Sequence, residues 1–524
     1  MPLRPHRLMS VVLAAATALS LAAAAPVATA APVTECAPSP ATPKQQLRAE
    51  WLASVANIDW PSARGLTADQ QKAELIRWYD EAAALGLNTV VVQVRPTADA
   101  FWPSPYEPWS HWLTGTQGQD PGYDPLAFAV EEAHKRNLEF HGWFNPYRVS
   151  MGTDVNALVP THPARVHPDW VLPYGGKLYY NPGIPEVREF TIDAIMDAVR
   201  KYDMDAVHFD DYFYPYPVAN QVFDDAAEYA EYGDGLSLED WRRRNVDLLI
   251  SELSAEIRSV KPWVQFGISP FAIWRNASTD PAGSPTQGGV ETYDDLYADT
   301  VKWVREEWID YITPQVYWNI GFTVADYAKL VPWWSDIVAG TDVNLYIGHA
   351  NYKVAAPAQG PAWHDPNEMS RQLTFNQDHP EVEGDIYFSA AQVRANRLQH
   401  MTIVKNDHYS RPAFAPTADR LVARGPSAPL MADARRTADG VRVRWVANGA
   451  TSYGVYRLDG HDLVGRCDLA DAANLVGSVR ATSGTLQSFT DTTAVPGERY
   501  TYVVTALDRS HNESPSSAPR FTKA

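Results

Sequence analysis

Short apolar runs alternate with longer amphipathic segments along most of this chain. Residues 88–95 (NTVVVQVR) form an apolar, β-branched run, and residues 67–85 before them carry apolar side chains at helical spacing. The same alternation along the chain gives eight predicted strands and seven predicted helices between them. The predicted strands lie at residues 51–55, 88–95, 138–145, 206–211, 264–269, 311–317, 343–348 and 384–388. The predicted helices lie at residues 67–85, 124–137, 185–202, 238–260, 293–307, 324–338 and 368–376.

This rhythm predicts an α/β fold, a parallel (β/α)8 TIM barrel over residues 47–420. Continuous apolar runs such as VVVQV are typical of a sheet that is buried on both faces. An open doubly wound sheet is the alternative. It is disfavoured because no glycine-rich phosphate loop follows any predicted strand.

The pattern changes after residue 424. Pro426 and Pro429 mark a linker, and residues 440–445, 452–457 and 500–507 then alternate with period two. Residues 425–524 are therefore predicted to form a small all-β, immunoglobulin-like sandwich. They resemble a fibronectin type III module, with Trp445 as the buried core tryptophan and Tyr500 in a tyrosine corner.

The first thirty residues have the pattern of a secretory signal peptide. Arg4 and Arg7 precede an apolar run at residues 11–25, and small residues lead to a predicted cleavage site after Ala30. A membrane anchor is the alternative, but the run is shorter than the ~20 residues that a spanning helix needs. Residues 31–46 are predicted to be a flexible leader. The protein is therefore expected to be secreted, with no membrane span.

Composition narrows the possible partners. The chain carries a net charge of −19, which disfavours binding to nucleic acid or an anionic membrane through the overall field. Its 18 Trp, 26 Tyr and 16 Phe make up 11% of the residues. Two cysteines exclude a disulfide scaffold and a cysteine-based zinc domain, although export permits a disulfide between Cys36 and Cys467.

Polar and aromatic side chains follow nearly every predicted strand. In a TIM barrel the active site is built from the loops after the strands. A combination of polar and aromatic side chains is typical of sugar-binding sites, because sugar hydroxyls need hydrogen-bond donors and acceptors and the C–H faces of sugars pack on aromatic rings. The predicted substrate-binding residues are Asp59, Arg95, Asn145, Tyr147, Arg148, His208, Tyr212, Trp274, Gln315, Tyr317 and Trp318.

Asp210 and Asp211 end the fourth predicted strand and are the first candidates for catalysis. Neighbouring strand residues point to opposite faces, so one aspartate is expected to face the substrate and the other to hold a loop, an arginine or a backbone N–H. His208 shares a face with Asp210, one step deeper. Glycoside hydrolysis also needs a partner carboxyl group. The candidates for that partner are Asp99, Glu107, Asp59 and Glu228.

Other chemistries are disfavoured by the motifs that the chain lacks. The histidines do not form HExxH or another metal spacing, and the predicted barrel holds no cysteine nucleophile. No G-x-S-x-G elbow is present either. We therefore predict neither a metal nor a cofactor.

Ten motifs, in order along the chain, resemble those of the bacterial glycosyl-hydrolase-like 10 family. They are 53–61 (ASVANIDWP), 93–96 (QVRP), 99–104 (DAFWPS), 107–110 (EPWS), 143–148 (WFNPYR), 181–183 (NPG), 208–215 (HFDDYFYP), 241–246 (WRRRNV), 267–271 (GISPF) and 314–318 (PQVYW). The family includes cell-envelope enzymes that cut peptidoglycan glycan strands, notably those stripped of stem peptides. The resemblance implies a (β/α)8 cell-wall glycan hydrolase with the strand-four aspartates as its catalytic centre.

The resulting hypothesis is a secreted, cell-wall-associated glycosidase that cleaves a polysaccharide, most directly peptidoglycan glycan, by acid/base catalysis with paired carboxylates. A rival is a non-catalytic glycan-binding barrel. A third hypothesis is an adhesin that binds through residues 425–524.

Overall fold

A computed structural model describes residue 36 and residues 39–460, 464–470 and 472–523. The predicted signal peptide, and the predicted leader as far as residue 35, lie outside the described residues. Cys36 and Cys467 are both disulfide-bonded. Over the described ranges, no helix combines the length and the apolar character needed to cross a membrane.

Eight parallel strands close into a barrel, which confirms the predicted TIM-barrel fold. In chain order, β1 to β8 are Leu47–Leu52, Thr89–Arg95, Glu139–Phe144, Ala206–Phe209, Gln265–Ile268, Tyr311–Ile312, Asn344–Ala350 and Val382–Phe388. Each strand pairs with its neighbours in sequence, and β1 closes the ring by pairing with β8. All their carboxyl ends therefore meet at one face.

Eight main helices, one after each strand, surround the barrel. In chain order, α1 to α8 are Ala68–Leu85, Pro125–Lys135, Pro185–Lys201, Leu238–Val260, Thr300–Arg305, Tyr327–Val338, Glu368–Asn376 and His400–His408. The start and end of α1 follow from its sequence. Thr67 accepts a hydrogen bond from the Gln70 amide, and Gly86 ends the helix with a φ of +88°.

The first strand begins earlier than its apolar pattern indicates. The pattern predicts a strand at residues 51–55, whereas β1 starts at Leu47 and includes the buried Arg48 and Glu50. Both side chains have hydrogen-bond partners. Arg394 binds the Glu50 carboxylate at 2.5 Å and 2.6 Å, and the Arg48 guanidinium donates to the Arg411 carbonyl at 2.7 Å. Buried charged residues interrupt the apolar pattern of the strand, and their partners lie far away in the sequence, so the pattern alone does not predict where the strand begins.

The predicted helix at residues 293–307 is interrupted. It consists of a short helix, Thr292–Asp295, followed by α5, and Tyr297 between them has a left-handed φ of +52°. The predicted strand at residues 311–317 is also shorter, because β6 ends at Ile312. Gln315 continues the sheet only through isolated bridges to Phe271 and Gly348.

The longer loops carry further small elements. A three-stranded antiparallel sheet lies between β3 and α3, with strands Arg148–Ser150, Val171–Tyr174 and Lys177–Tyr180. Short α-helices lie at His111–Thr114, Pro163–Val166, Ala226–Tyr232 and Ala390–Ala395. The sequence pattern did not predict these elements.

The carboxyl-terminal part is all-β, as predicted. Its strands β9 to β15 are Leu430–Thr437, Gly440–Val446, Ser452–Asp459, Leu475–Arg480, Leu486–Asp491, Arg499–Leu507 and Arg520–Lys523. They form a three-stranded sheet, β9-β10-β13, and a four-stranded sheet, β12-β11-β14-β15. Trp445 is fully buried, and the Tyr500 hydroxyl accepts the Val495 N–H at 3.1 Å. The assignment to the fibronectin type III class stays a prediction.

The β-domain contacts the amino ends of the barrel strands. His511 binds the carboxylate of Glu139, the first residue of β3, at 3.0 Å. Asn137, just before β3, donates to Ser478 at 2.8 Å. This domain therefore packs at the base of the barrel, opposite the face where the strands end.

Candidate active site

A cleft of about 290 Å³ opens at the carboxyl ends of the barrel strands. This is the face at which TIM barrels carry their active sites. The cleft is lined by Trp51, Ala53, Val55, Ile58, Gln93, Trp143, Arg148, Asp210, Asp211, Tyr212, Ser269, Gln315, Tyr317, Tyr352 and Phe388.

Asp210 is held by donors from three groups. Trp143 Nε1 donates to Oδ2 at 3.0 Å, Asn145 Nδ2 contacts both oxygens at 3.1 Å and 3.2 Å, and the Tyr212 amide donates to Oδ1 at 3.2 Å. Burial and the neighbouring Asp211 charge raise the pKa of Asp210 to about 6, against the opposing effect of these donors. The Asp210 carboxyl group therefore gains and loses its proton at a pH of about 6, close to neutrality.

Asp211 lines the same cleft. The Tyr216 hydroxyl donates to its Oδ2, and burial raises the pKa of its carboxyl. The expectation that the two aspartates point to opposite faces is not met. The strand alternation ends at Phe209, and Asp210 instead caps a turn through the Tyr212 amide.

Arg148 brings a positive charge to the cleft without forming a salt bridge to either aspartate. Its Nε and Nη2 donate to the Pro96 carbonyl at 3.2 Å and 3.1 Å, and its guanidinium lies 5.0 Å from the centre of the Tyr212 ring. Its charge opposes the rise in the pKa of both aspartates. Arg148 is thus fixed by neutral groups and offers a donor edge to a ligand.

His208 lies beneath the cleft, fully buried in the barrel. Trp51 Nε1 donates to its Nε2 at 3.1 Å, so Nδ1 carries the proton and faces the Tyr311 hydroxyl at 3.0 Å. Ser269 Oγ lies 2.9 Å from Nε2. Burial holds the pKa of His208 well below its usual range. The ring is therefore neutral and positions Trp51 and Ser269.

This contact continues down the barrel axis. The Tyr311 hydroxyl also lies 3.0 Å from His141 Nδ1, and His141 Nε2 lies 3.3 Å from the Glu139 carboxylate. Because His208 Nδ1–H donates to the Tyr311 oxygen, the Tyr311 O–H donates to His141 Nδ1, and His141 Nε2–H donates to the Glu139 carboxylate. One hydrogen-bonded chain thus joins the floor of the cleft to the base of the barrel.

Aromatic rings form the walls of the cleft. Trp51 and Phe388 meet edge to face with centroids 6.2 Å apart. Tyr352 meets Tyr317 edge to face at 5.8 Å. Such walls match the C–H faces of sugar rings.

Glu107 and Arg95 lie outside this lining. They are fully buried and paired with each other, with Arg95 Nε at 2.7 Å and Nη2 at 2.5 Å from the carboxylate oxygens. Arg95 also donates to the Asn145 carbonyl at 2.5 Å. The pair is therefore engaged in holding the loop that presents Asn145.

The other candidate partner acids also lie away from the lining. Asp59 accepts the Ala53 amide, the Ser389 hydroxyl and the Ala391 amide, each at 2.8 Å. Asp99 is buried, with Oδ1 on the Thr97 amide at 3.2 Å. Glu228 lies on the short helix Ala226–Tyr232.

The structure brings together part of the predicted set. The predicted residues that line the cleft are Arg148, Asp210, Asp211, Tyr212, Gln315 and Tyr317. Asn145 and His208 support it from behind. The predicted residues outside the lining are Asp59, Arg95, Asp99, Glu107, Tyr147, Trp274 and Trp318. Of these, Tyr147 is fully buried, Trp274 donates to Asp299 at 3.0 Å, and Trp318 packs on Phe271.

Several lining residues were not predicted as site residues. Trp51, Gln93 and Trp143 lie within strands and point inward near the strand ends, and Phe388 ends β8. Gln93 Oε1 accepts the Ser54 and Val55 amides, whereas its buried Nε2 has no partner among the described residues. Because side chains alternate between the two faces of a strand, every second residue counted back from a strand end points into the barrel, and this count identifies the lining residues.

The described residues contain no group of three or more His, Cys, Asp or Glu side chains placed to hold a metal ion. The chemistry available in the cleft is therefore that of two buried carboxyl groups with donors and aromatic walls around them.

Comparison with known proteins points to one family. The family model Glycosyl hydrolase-like 10 matches residues 46–365. Glycosyl hydrolase YngK of Bacillus subtilis is 48% identical over 489 residues, which cover 91% of this chain and 94% of that protein. Glycosyl hydrolase DigH of Escherichia coli is 42% identical over 373 residues, which cover 67% of this chain and 84% of DigH.

Among solved structures, the PgaB (BpsB) glycoside hydrolase domain from Bordetella bronchiseptica is 12% identical, with a TM-score of 0.43. The similarity covers 70% of this chain and 99% of that domain.

Proposed function

The chain belongs to the glycosyl hydrolase-like 10 family and is a glycoside hydrolase, and from that premise we propose that it cleaves the glycan strands of peptidoglycan. The substrate in this proposal is a β-linked polymer of N-acetylated amino sugars, and strands stripped of their stem peptides are its simplest form. The ten family motifs support the proposal, as does a cleft with aromatic walls and hydrogen-bond donors.

The observation that carries this proposal is the pair Asp210 and Asp211. Both carboxyl groups line one cleft, both have raised pKa values, and neither forms a salt bridge within the described residues. Burying two carboxyl groups without a cation at contact distance is unfavourable, and acids with pKa values perturbed in this way cluster at functional sites. A glycosidase needs a protonated and an ionised carboxyl group at the same time, and a coupled pair supplies both.

The wall of the cleft suits a polymer of sugar rings. Tyr212, Tyr317 and Tyr352 offer flat surfaces, and Arg148 and Gln315 offer donors beside the carboxyl pair. Hydroxyl and acetamido groups can bind these donors while the rings pack on the aromatic faces.

We also propose that the enzyme acts outside the cytoplasm, in contact with the cell wall. The support is the sequence of residues 1–30, with Arg4 and Arg7 before an apolar run and Ala30 at the predicted cleavage site. Mass spectrometry of the protein recovered from the culture medium and the wall should find a mature chain beginning at Ala31.

Digestion of purified glycan strands tests the proposed activity. Strands freed of stem peptides are incubated with the wild type, with Asp210→Asn and with Asp211→Asn, and new reducing ends are counted. We expect each substitution to lower the rate by at least about 100-fold, since each removes a group that handles a proton or a charge in the reaction. The exposed Asp193→Asn on α3 is the matched control and should keep the wild-type rate.

Two results would contradict the proposal. In one, the wild-type enzyme leaves the strands intact at every pH tested. In the other, both aspartate variants cut the strands as fast as the Asp193→Asn control.

A further inference from the structure

The two catalytic carboxyl groups are neighbours in sequence, which is unusual for a pair that must flank a glycosidic bond. Enzymes with a carboxylate nucleophile or base place the two groups roughly 5–5.5 Å or 6.5–9.5 Å apart on opposite sides of that bond. Adjacent Cα atoms are about 3.8 Å apart. Asp210 and Asp211 therefore both enter the cleft from the end of β4.

The facing wall offers no second acid. Within the described part of the chain, the residues that line the cleft include no carboxyl group other than these two. Glu107 is bound by Arg95, and Asp59 is bound by three donors. The group that attacks the anomeric carbon must therefore come from another source.

We propose that this group is the 2-acetamido oxygen of the substrate itself, with Asp210 orienting the acetamido N–H and Asp211 acting as acid and then base. This inference rests on the proposed function, which supplies a substrate whose sugars carry 2-acetamido groups. It narrows that substrate to polymers with an N-acyl group on the sugar before the cleaved bond.

Asp210 suits the orienting role because its position is fixed from three sides. Trp143, Asn145 and the Tyr212 amide occupy three of the roughly four acceptor sites of a carboxylate. One acceptor site is left for the acetamido N–H. Donors of this kind favour the ionised form of the group that they bind.

Asp211 suits the acid role because its hydrogen-bond donor is a neutral group and no cation binds its carboxyl group directly. The Tyr216 hydroxyl donates to its Oδ2, and burial raises the pKa of its carboxyl group. Since two adjacent buried carboxyl groups resist simultaneous ionisation, the proton that they share resides on the partner with fewer donors.

The surroundings of Asp210 also fit an acetamido group. The Trp143 ring is fixed by its bond to Asp210, and Trp51 and Phe388 line the same cleft. These apolar rings offer a surface for the acetamido methyl. Gln93 Nε2 is a buried donor without a partner in the described part of the molecule, and it can bind a substrate acceptor atom.

The reaction balances in two steps. First, the acetamido oxygen forms a bond to the anomeric carbon, the glycosidic C–O bond breaks, and the leaving oxygen takes the Asp211 proton. The acetamido nitrogen then bears a positive charge that the Asp210 carboxylate offsets. Second, the ionised Asp211 takes a proton from water, the water oxygen bonds to the anomeric carbon, and the C–O bond to the acetamido oxygen breaks. One water is consumed, and the anomeric configuration is retained.

Wild-type enzyme and a series of N-acyl groups test this proposal. Glycan strands are chemically de-N-acetylated and then re-acylated with acetyl or trifluoroacetyl groups. We expect re-acetylated strands to be cut at the native rate. De-N-acetylated and trifluoroacetylated strands should each be cut at least about 100-fold more slowly, because the intramolecular nucleophile is lost or weakened.

The outcomes separate the two proposals. If re-acetylated strands are not cut, the proposed function is wrong. If they are cut, and trifluoroacetylated strands are cut equally fast, only the acetamido mechanism is overturned. The anomeric configuration of the first product can be monitored by NMR. Inverted configuration would also overturn the acetamido mechanism.

The division of roles has its own readout in the pH dependence of the residual rates. Asp211→Asn should remove the alkaline limb of the profile, since that limb reports loss of the acid. Asp210→Asn should remove the acid limb, which reports protonation of the orienting group. The reverse pattern would exchange the two roles.

Discussion

Buried carboxyl groups lie at both ends of the barrel, but the two ends treat them differently. At the base, the Glu139 carboxylate meets His511 at 3.0 Å and His141 at 3.3 Å. At the cleft, Asp210 and Asp211 meet neutral donors, and within the described residues they have no salt-bridge partner. Burial is comparable at the two ends, so the partners make the difference.

The pKa values show the consequence. His511 and His141 hold the pKa of Glu139 well below its usual range despite its burial. Burial raises the pKa of Asp210 to about 6, where only neutral donors and the more distant Arg148 oppose it. A buried acid with a cation at contact distance stabilises the ionised state and the fold, whereas a buried acid without one keeps a proton available for chemistry.

The largest expected effect is on the rate of strand cleavage and comes from replacing Asp211, the proposed acid in the cleft. In Asp211→Asn we expect the rate of strand cleavage to fall by about 10³-fold, roughly 4 kcal/mol in activation free energy. The free energy of unfolding at neutral pH should not fall, because the substitution replaces a buried carboxyl group that has no counter-ion with a neutral amide of the same shape. Kinetics and urea unfolding of the same preparation measure both. If the free energy of unfolding fell by as much as the activation free energy rose, the distinction between stabilising and catalytic buried acids would be wrong.

Glu107 tests whether pairing, rather than nearness to the cleft, decides the role. Glu107→Gln leaves the fully buried Arg95 without its counter-ion, and we expect the free energy of unfolding to fall by about 3–5 kcal/mol. The exposed Glu189→Gln on α3 is the matched control and should be neutral.

The activity of folded Glu107→Gln gives the second readout. At a temperature where the variant is folded, its rate of strand cleavage should stay within about tenfold of the wild type, since Glu107 acts only through Arg95 and Asn145. A fully folded Glu107→Gln with a 10³-fold lower rate would instead make Glu107 a catalytic acid.

This contrast also explains what could be predicted from the sequence. Strand and helix order follow from local periodicity, and the position of Asp210 and Asp211 at a strand end follows from it too. Pairing does not. Glu107 and Asp211 are both acids near aromatic residues after a strand, and only the fold reveals that Arg95 binds the first. Gln93 and Trp143 were missed because inward-facing strand residues resemble core residues until the barrel closes.

The base of the barrel should show a smaller effect with a defined pH dependence. In Glu139→Gln, two histidines lose a charged acceptor, and we expect the free energy of unfolding near pH 6 to fall by about 2 kcal/mol. Because the Glu139 pKa is lowered on folding, its contribution is present above the ordinary carboxyl range and is lost as the pH falls through the folded-state pKa. The raised pKa of His511 makes its contribution present below the ordinary histidine range and lost as the pH rises.

Urea unfolding from pH 3 to pH 9 checks both limbs. The wild type should exceed Glu139→Gln most strongly at mildly acidic pH, between the two limbs, with the difference shrinking on either side. A pH-independent difference would mean that packing, rather than charge, joins the β-domain to the barrel.

The smallest expected effect tests the neutral donors that replace cations at the cleft. Trp143→Phe removes the indole N–H that binds Asp210 Oδ2 at 3.0 Å and keeps an aromatic ring in the wall. Because this donor favours the ionised carboxylate, its loss raises the Asp210 pKa, and the acid limb of the pH–rate profile should move upward by about one unit. Trp51→Phe is the matched control, since its indole donates to His208 instead and should leave the limb in place. If both variants move the limb equally, the shift reports the size of the ring, and the Trp143 hydrogen bond does not set the protonation of Asp210.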